Sequence, residues 1–205
     1  WLFSHHCMTT ISFEEAQSTL LGCLRQLDRS LEQWDAITAR STQTFSAIAN
    51  VCYRRSNPVV VSINDSTPPS SQAASVESLR KLEKYMCSLH KVVSSLRDIA
   101  DNLASSCAEA KKVMISGFAV DTMVRRTAID ASLADIVECM EMAARMRERE
   151  YWNKKQIISS IDYNRPEMLD GLMQAWAEDP DSDRRAFQPV LRRAHGTLLK
   201  KRESL

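Results

Sequence analysis

With 205 residues, 44% of them apolar and only four of them glycine, the chain can bury a core but cannot build glycine-rich phosphate cradles. Its 27 basic and 26 acidic residues leave a net charge of +1, which excludes a chain-wide attraction to polyanions and confines any nucleic-acid reading to local patches. Six scattered cysteines without a C-x-x-C pair or metal-ligand spacing fit a reducing compartment better than a disulfide scaffold, and no apolar run approaches the ~20 residues of a membrane span.

Residues 1–11 read as a disordered N-terminus, too short and unpatterned for a signal peptide, with Met8 as a candidate start. His5, His6 and Cys7 are adjacent but have no distant partner ligands to complete a metal site. Ser12 and Glu15 have capping-box spacing and open a first helix expected over residues 12–54. Its seam runs Leu20, Leu24, Leu27, Leu31, Trp34, Thr38, Ser41, Phe45, Ile48, Cys52. The polar break at Thr38 and Ser41 admits three readings: a kink, a polar layer that fixes register, or a slightly under-packed level.

Prolines, serines and asparagines make residues 55–74 a linker. Within it Val59–Ile63 is β-branched and short, fit to add as an edge strand to a partner sheet or to pack along a bundle as a strap.

The second helix, residues 75–116, carries the strongest pattern in the chain. Leu79, Leu82, Met86, Leu89, Val93, Leu96, Ala100, Leu103, Cys107, Ala110 and Met114 alternate at steps of three and four without a polar interruption. Chance at 44% apolar content would fill about five of those positions, so the periodicity is helical. The rod is roughly 60 Å long and cannot hide its own stripe. Its g positions (Tyr85, Val92, Ile99, Ser106, Val113) are mostly apolar, whereas its e positions (Glu83, His90, Arg97, Ala104, Lys111) are mostly polar. A stripe over a, d and g predicts a helix with two neighbours, hence a bundle, with a swapped or heteromeric coiled coil as the alternative. Ser75 is the expected N-cap and Gly117 the expected C-cap.

After a polar connection, a third helix is expected over residues 130–161, with Leu133, Val137, Met140, Ala144, Tyr151, Ile158 and Ile161 on one face. Glu77–Lys81, Glu141–Arg145 and Glu150–Lys154 have favourable i,i+4 order. The charge run from Arg145 to Lys155 reads as a solvated helical face rather than a phosphate site. The C-terminal extension, residues 162–205, holds two short helices. The first starts at Pro166 with Met168, Leu169, Leu172, Met173 and Trp176 on its apolar face. The second follows a stop at Asp179–Ser182 and ends in a basic tail that includes Arg192, Arg193, Lys200 and Lys201, where counterion release would favour RNA or an acidic protein face. The expected fold is therefore all-α: a bundle of three long helices with coiled-coil character, plus two short C-terminal helices.

Catalytic patterns are absent. There is no phosphate-binding loop, dinucleotide fingerprint, H-E-x-x-H or G-x-S-x-G, and the four histidines and the paired carboxylates at helix starts have ordinary structural explanations. No catalytic, cofactor-binding or metal residue is expected, and the chain reads as a non-enzyme.

The residues Ala16-Gln17, Leu20, Cys23-Leu24, Trp34, Phe45-Ser46, Ile48 and Asn50, then Ser132, Ala134-Asp135, Glu138, Tyr151, Lys154-Lys155, Ile157–Ile161 and Ala175-Trp176, fall in an order that resembles the AIRIM family of ribosome maturation factors. The related CINP family shares the helix order, a tryptophan after the third helix and a charged turn near Asp181-Ser182, so both relatives stand at this point. The resemblance implies a non-catalytic adaptor subunit of an AAA+ ATPase complex, acting in large ribosomal subunit maturation and replication-linked protein turnover, in nucleus and cytoplasm. Implied partners are AAA+ ATPase subunits, a CINP-like helical partner in a heterodimer and, indirectly, the pre-ribosomal particle, with no membrane and no direct nucleic acid. The alternatives are a CINP-like cell-cycle or genome-maintenance scaffold, or an assembly factor that touches ribosomal RNA through the basic tail, although that tail is not a family feature. Candidate interface residues are Leu82, Leu89, Leu96, Leu103, Trp34, Tyr151, Lys154, Lys155 and Trp176.

Overall fold

The structure is a computed structural model that describes residues 13–56, 71–115 and 132–178, with Pro189, Arg192 and Gly196 as exposed helical positions. Every regular element among the described residues is helical: α1 (Phe13–Ser56), α2 (Ser71–Ile115), α3 (Leu133–Ser159), a 3₁₀ turn (Pro166–Met168) and α4 (Leu169–Ala177). The all-α expectation of three long helices and short C-terminal ones holds. Several expectations fall outside the described residues: the N-terminal segment, Ser12 of the first capping box, Val59–Ile63, the Gly117 cap and the connection after it, the stop at Asp179–Ser182, and the basic tail apart from Arg192.

The helix ends differ from expectation for local reasons. α2 begins at Ser71 rather than Ser75, because Ala73 and Ala74 extend the helix at little conformational cost, and Ser75 is an exposed interior residue. α3 begins behind a reciprocal box not anticipated from the sequence. The Ser132 hydroxyl accepts the Asp135 N–H at 3.1 Å, and the Asp135 carboxylate accepts the Ser132 N–H at 3.1 Å. At its other end α3 stops at Ser159, where the Ser159 and Ser160 hydroxyls donate to the Gln156 carbonyl at 2.8 and 2.9 Å. Asp162 then accepts the Asn164 N–H at 2.9 Å, a side-chain turn that competes with further helix.

The chain divides into two compact units, and each long helix contributes a segment to both. In the first, α1 up to Glu32, α2 from Ile99 and α3 up to Glu148 pack together. Leu20, Leu24 and Leu27 bury against a core completed by Leu103, Ala110, Ile136, Met140 and Ala143, each at most 2% exposed. On its surface Glu141 pairs with Lys111 across helices at 2.9 Å and with Arg145 along α3. Hydrogen bonds from Arg145 and then Lys111 hold the Glu141 carboxyl below its ordinary value. A lowered carboxyl stabilises the fold above the ordinary carboxylate range, and that contribution is lost as pH falls through the lowered value.

The second unit contains the remainder of α1, α2 up to Asp98, and the chain from Arg149 through α4. Its core is Trp34, Phe45, Ile48 and Cys52 from α1, Leu82, Leu89 and Leu96 from α2, and Leu169 and Trp176 from the C-terminal end, all at most 1% exposed. Complete burial of a leucine is worth roughly 1.5–3 kcal/mol, so these residues dominate local stability. The wide-stripe reading of α2 holds best towards its C-terminal end: Ile99, Ser106 and Val113 at g are buried and Tyr85 and Val92 half-buried, while Glu83, His90, Ala104 and Lys111 at e are exposed and Arg97 half-buried. The N-terminal end departs from it, since Val76 and Leu79 are 45% and 46% exposed.

Desolvation raises the Cys23, Cys52, Cys107 and Cys139 thiols above their ordinary pKa, whereas Cys87 lies on the surface. Among these five, alkylation of the native protein at mild alkaline pH, read by mass spectrometry, labels Cys87 first and the other four only with unfolding, because the thiolate is the nucleophile. In urea titrations followed by circular dichroism, Leu89→Ala lowers the unfolding free energy by about 2–5 kcal/mol, as expected for a closed core. Leu79→Ala, on the exposed end of the same seam, costs about 0.5 kcal/mol.

Candidate functional site

The second unit contains the features that point beyond simple packing. They begin where the α3 seam, which runs through Ile136, Met140, Ala143 and Arg147 in the first unit, continues into the second with Glu150, Lys154 and Ile158; all seven are buried although three of them are charged. The expected solvated face is therefore corrected. Arg145, Glu148, Arg149 and Lys155 are exposed, but Arg147, Glu150 and Lys154 point inward at 4%, 5% and 1% exposure. Buried charges persist only when paired and hydrogen-bonded, and the surroundings of Lys154 show how this is achieved.

Lys154 Nζ lies 3.2 Å from Glu150 Oε1, one helical turn earlier. It donates to the Trp176 carbonyl at 2.6 Å and sits 4.9 Å from the centre of the Trp176 ring. That carbonyl belongs to the last turn of α4, where backbone acceptors have no partner within the helix, so Lys154 acts as a C-cap supplied by another helix. The Trp176 indole N–H donates to Ser41 Oγ at 2.9 Å, and Ser41 in turn donates to the Thr38 carbonyl at 2.7 Å. Phe45 tilts against the indole at a centroid distance of 5.6 Å. Of the three readings of the polar break in α1, the structure selects the polar layer at Ser41, which is 2% exposed and receives Trp176.

Two further contacts pin α4 on α1. Tyr53 donates to Asp170 Oδ2 at 2.8 Å, which raises the phenol above its ordinary pKa, and Ser46 lies 3.2 Å from the Met173 sulfur. A groove of about 390 Å³ opens between α3 and α4 over the buried pair, lined by Asn153, Ile157, Ser160, Leu172, Ala175 and Glu178.

A second groove, about 560 Å³, runs along the N-terminal half of α2 between Leu79, Leu82 and Met86 on one side and Tyr163, in the turn after α3, on the other. It continues the apolar surface of Val76 and Leu79. A third feature is aromatic: the Tyr151 and Trp152 rings meet edge-on at 5.1 Å, with Arg97 5.4 Å from the Tyr151 centre and Lys155 4.8 Å from that of Trp152.

Of the nine candidate interface residues, the structure buries Leu82, Leu89, Leu96, Leu103, Trp34, Tyr151, Lys154 and Trp176 within the chain and leaves Lys155 exposed. It brings Lys154 and Trp176 into direct contact, whereas the leucines are distributed along the α2 core. Sequence reasoning missed Ser41 as the acceptor for Trp176 and Trp152 as a surface aromatic. The one signal for Trp152 was its place just off the seam residue Tyr151. Among the described residues no group of three or more His, Cys, Asp or Glu is placed to hold a metal ion, and no helix is long and apolar enough to cross a membrane.

Residues 14–193 match the family model described as Ribosome biogenesis protein C1orf109-like, the family to which the name AIRIM also applies. Comparison with curated proteins gives no match.

The buried network makes two predictions. Lys154→Ala removes the buried ammonium from beside Glu150 and from the Trp176 carbonyl and costs about 3–5 kcal/mol in chemical denaturation, while the pair Glu150→Leu with Lys154→Met recovers most of that loss. Trp176→Phe keeps the ring but removes the hydrogen bond to Ser41, lowering stability by roughly 1–3 kcal/mol in the same assay.

Proposed function

The chain belongs to the C1orf109-like family of ribosome biogenesis proteins, because the match takes in most of its 205 residues, and we propose that it serves there as a non-catalytic adaptor of an AAA+ ATPase assembly. Its role in ribosome biogenesis follows from the family. The adaptor role, the maturation of the large subunit and the link to replication-associated protein turnover are the proposed part. A nuclear or nucleolar site of action fits the family, and residence in the cytoplasm as well belongs to the proposal.

The observation that carries this reading is the apolar surface at the start of α2. Val76 and Leu79 leave nearly half of their area open and lead into the groove floored by Leu82 and flanked by Met86 and Tyr163. An α-helix from a partner could extend the heptad seam of α2 by placing its own apolar stripe there, as in helix-in-groove recognition. A CINP-like helical partner is the proposed occupant, with AAA+ ATPase subunits engaged by the resulting pair and the pre-ribosomal particle reached through them. Leu89 and Leu96, fully buried, belong to the core of the same unit.

Because Val76 and Leu79 are exposed, charges placed there spare the core. Val76→Asp with Leu79→Asp leaves circular dichroism and thermal unfolding close to those of the unaltered chain. In affinity purification with quantitative mass spectrometry it lowers recovery of the helical partner and of AAA+ ATPase subunits by about tenfold or more, since a buried unpaired carboxylate is costly. Undiminished recovery of both with the folded double variant would remove the adaptor proposal.

A further inference from the structure

We infer that the exposed face of α3 around Trp152 is a contact site for single-stranded RNA, an inference that rests on the family's role in ribosome biogenesis. Trp152 is 51% exposed, whereas Trp34 and Trp176 are 1% and 0% exposed. A large aromatic ring left half in water in the C-terminal third of α3 contributes little to folding, and its neighbours are arranged around it. Tyr151 holds it edge-on at 65°, and Lys155 Nζ lies 4.8 Å from the Trp152 ring centre and 5.9 Å from that of Tyr151. Arg97 of α2 lies 5.4 Å from the centre of Tyr151. The result is one exposed tryptophan ring propped by the buried Tyr151, with Lys155 near both rings and Arg97 of α2 near Tyr151.

The face carries a net positive charge, which favours a polyanion. Within one turn of Trp152 the exposed charged side chains of α3 are the cations Arg149 and Lys155 and the carboxylate of Glu148, while the other acid of the stretch, Glu150, is turned into the core beside Lys154. Asp98 is exposed on α2, one residue beyond Arg97 and so about 100° further round that helix. The shape of the face separates RNA from a partner helix. A docking helix needs apolar anchors at i, i+3, i+4 and i+7, but the residues three and four positions from Trp152 are Glu148, Arg149, Lys155 and Gln156, none of them apolar. A nucleobase needs only one ring to stack on, with a cation near the phosphate it carries, and Trp152 with Lys155 supplies both. An acidic peptide would use the cations and leave the ring idle.

The test uses the full chain and a fluorescein-labelled single-stranded RNA of mixed sequence, about a dozen nucleotides long, followed by fluorescence anisotropy across a salt series. Trp152→Ala weakens binding about tenfold while Trp152→Phe retains most of it, the pattern expected of stacking. Lys155→Gln weakens binding and lowers the slope of log affinity against log salt by about one. Unchanged affinity in folded Trp152→Ala overturns the inference. So does competition by polyglutamate as effective as that by unlabelled RNA, which would make the face an acidic-protein surface. Loss of binding only on neutralising Arg192, Arg193, Lys200 and Lys201 would place RNA on the tail instead. Recovery of AAA+ ATPase subunits is unaffected by Trp152→Ala, so failure here and failure of the adaptor proposal give different results; loss of those subunits in this variant would assign the face to a protein partner and also overturn the inference.

Discussion

The ammonium of Lys154, withdrawn from water and held by the Glu150 carboxylate, the Trp176 carbonyl and the Trp176 ring, is the constraint on which the second unit depends. A lysine so placed is tolerated only if its charge and its donors are all engaged, and each partner does a separate job. Glu150 neutralises it, the carbonyl gives it a directional bond, and the ring covers its remaining side. Because the carbonyl is an orphan acceptor at the end of α4, the same contact that stabilises the charge also ends and anchors that short helix. Nine residues of isolated helix would be marginal in water; docked through Lys154, Tyr53 and Ser41, α4 becomes part of the core.

This arrangement sorts the charge run of α3 into two populations with different roles. Residues at seam spacing turn inward and are structural, while those between them, Arg149 and Lys155, stay on the surface beside Trp152. Turning Glu150 inward leaves Glu148 as the one exposed carboxylate of that run, against the exposed cations Arg145, Arg149 and Lys155. The electrostatic character of the surface is thus a consequence of how the core is satisfied, and neither can be altered without affecting the other.

The apolar start of α2 and the aromatic face of α3 answer different physical demands. At Val76 and Leu79 the seam continues past the point where the chain's own described helices cover it, so the surface suits another apolar stripe. At Trp152 the apolar area is a single ring among polar neighbours, too small to bury a helix and well suited to a flat partner. A factor in ribosome biogenesis has use for both kinds of contact, one with protein and one with RNA.

Periodicity alone determined that the chain is all-α, that α1, α2 and α3 are long, and that α2 has a stripe over a, d and g. Those properties are local: a repeat of three and four residues places side chains on one face whatever that face meets. The pairs Glu150–Lys154 and Glu141–Arg145 were legible for the same reason, since i,i+4 neighbours meet on any helix. Only the tertiary structure decided which charges were buried, because the sign of a side chain says nothing about whether a carbonyl 22 residues away will reach it. It also decided that Ser41 receives a tryptophan 135 residues distant, and that Trp152 remains in solvent while Trp176 does not. Burial is a property of the neighbours that close over a residue, and those neighbours come from separate helices.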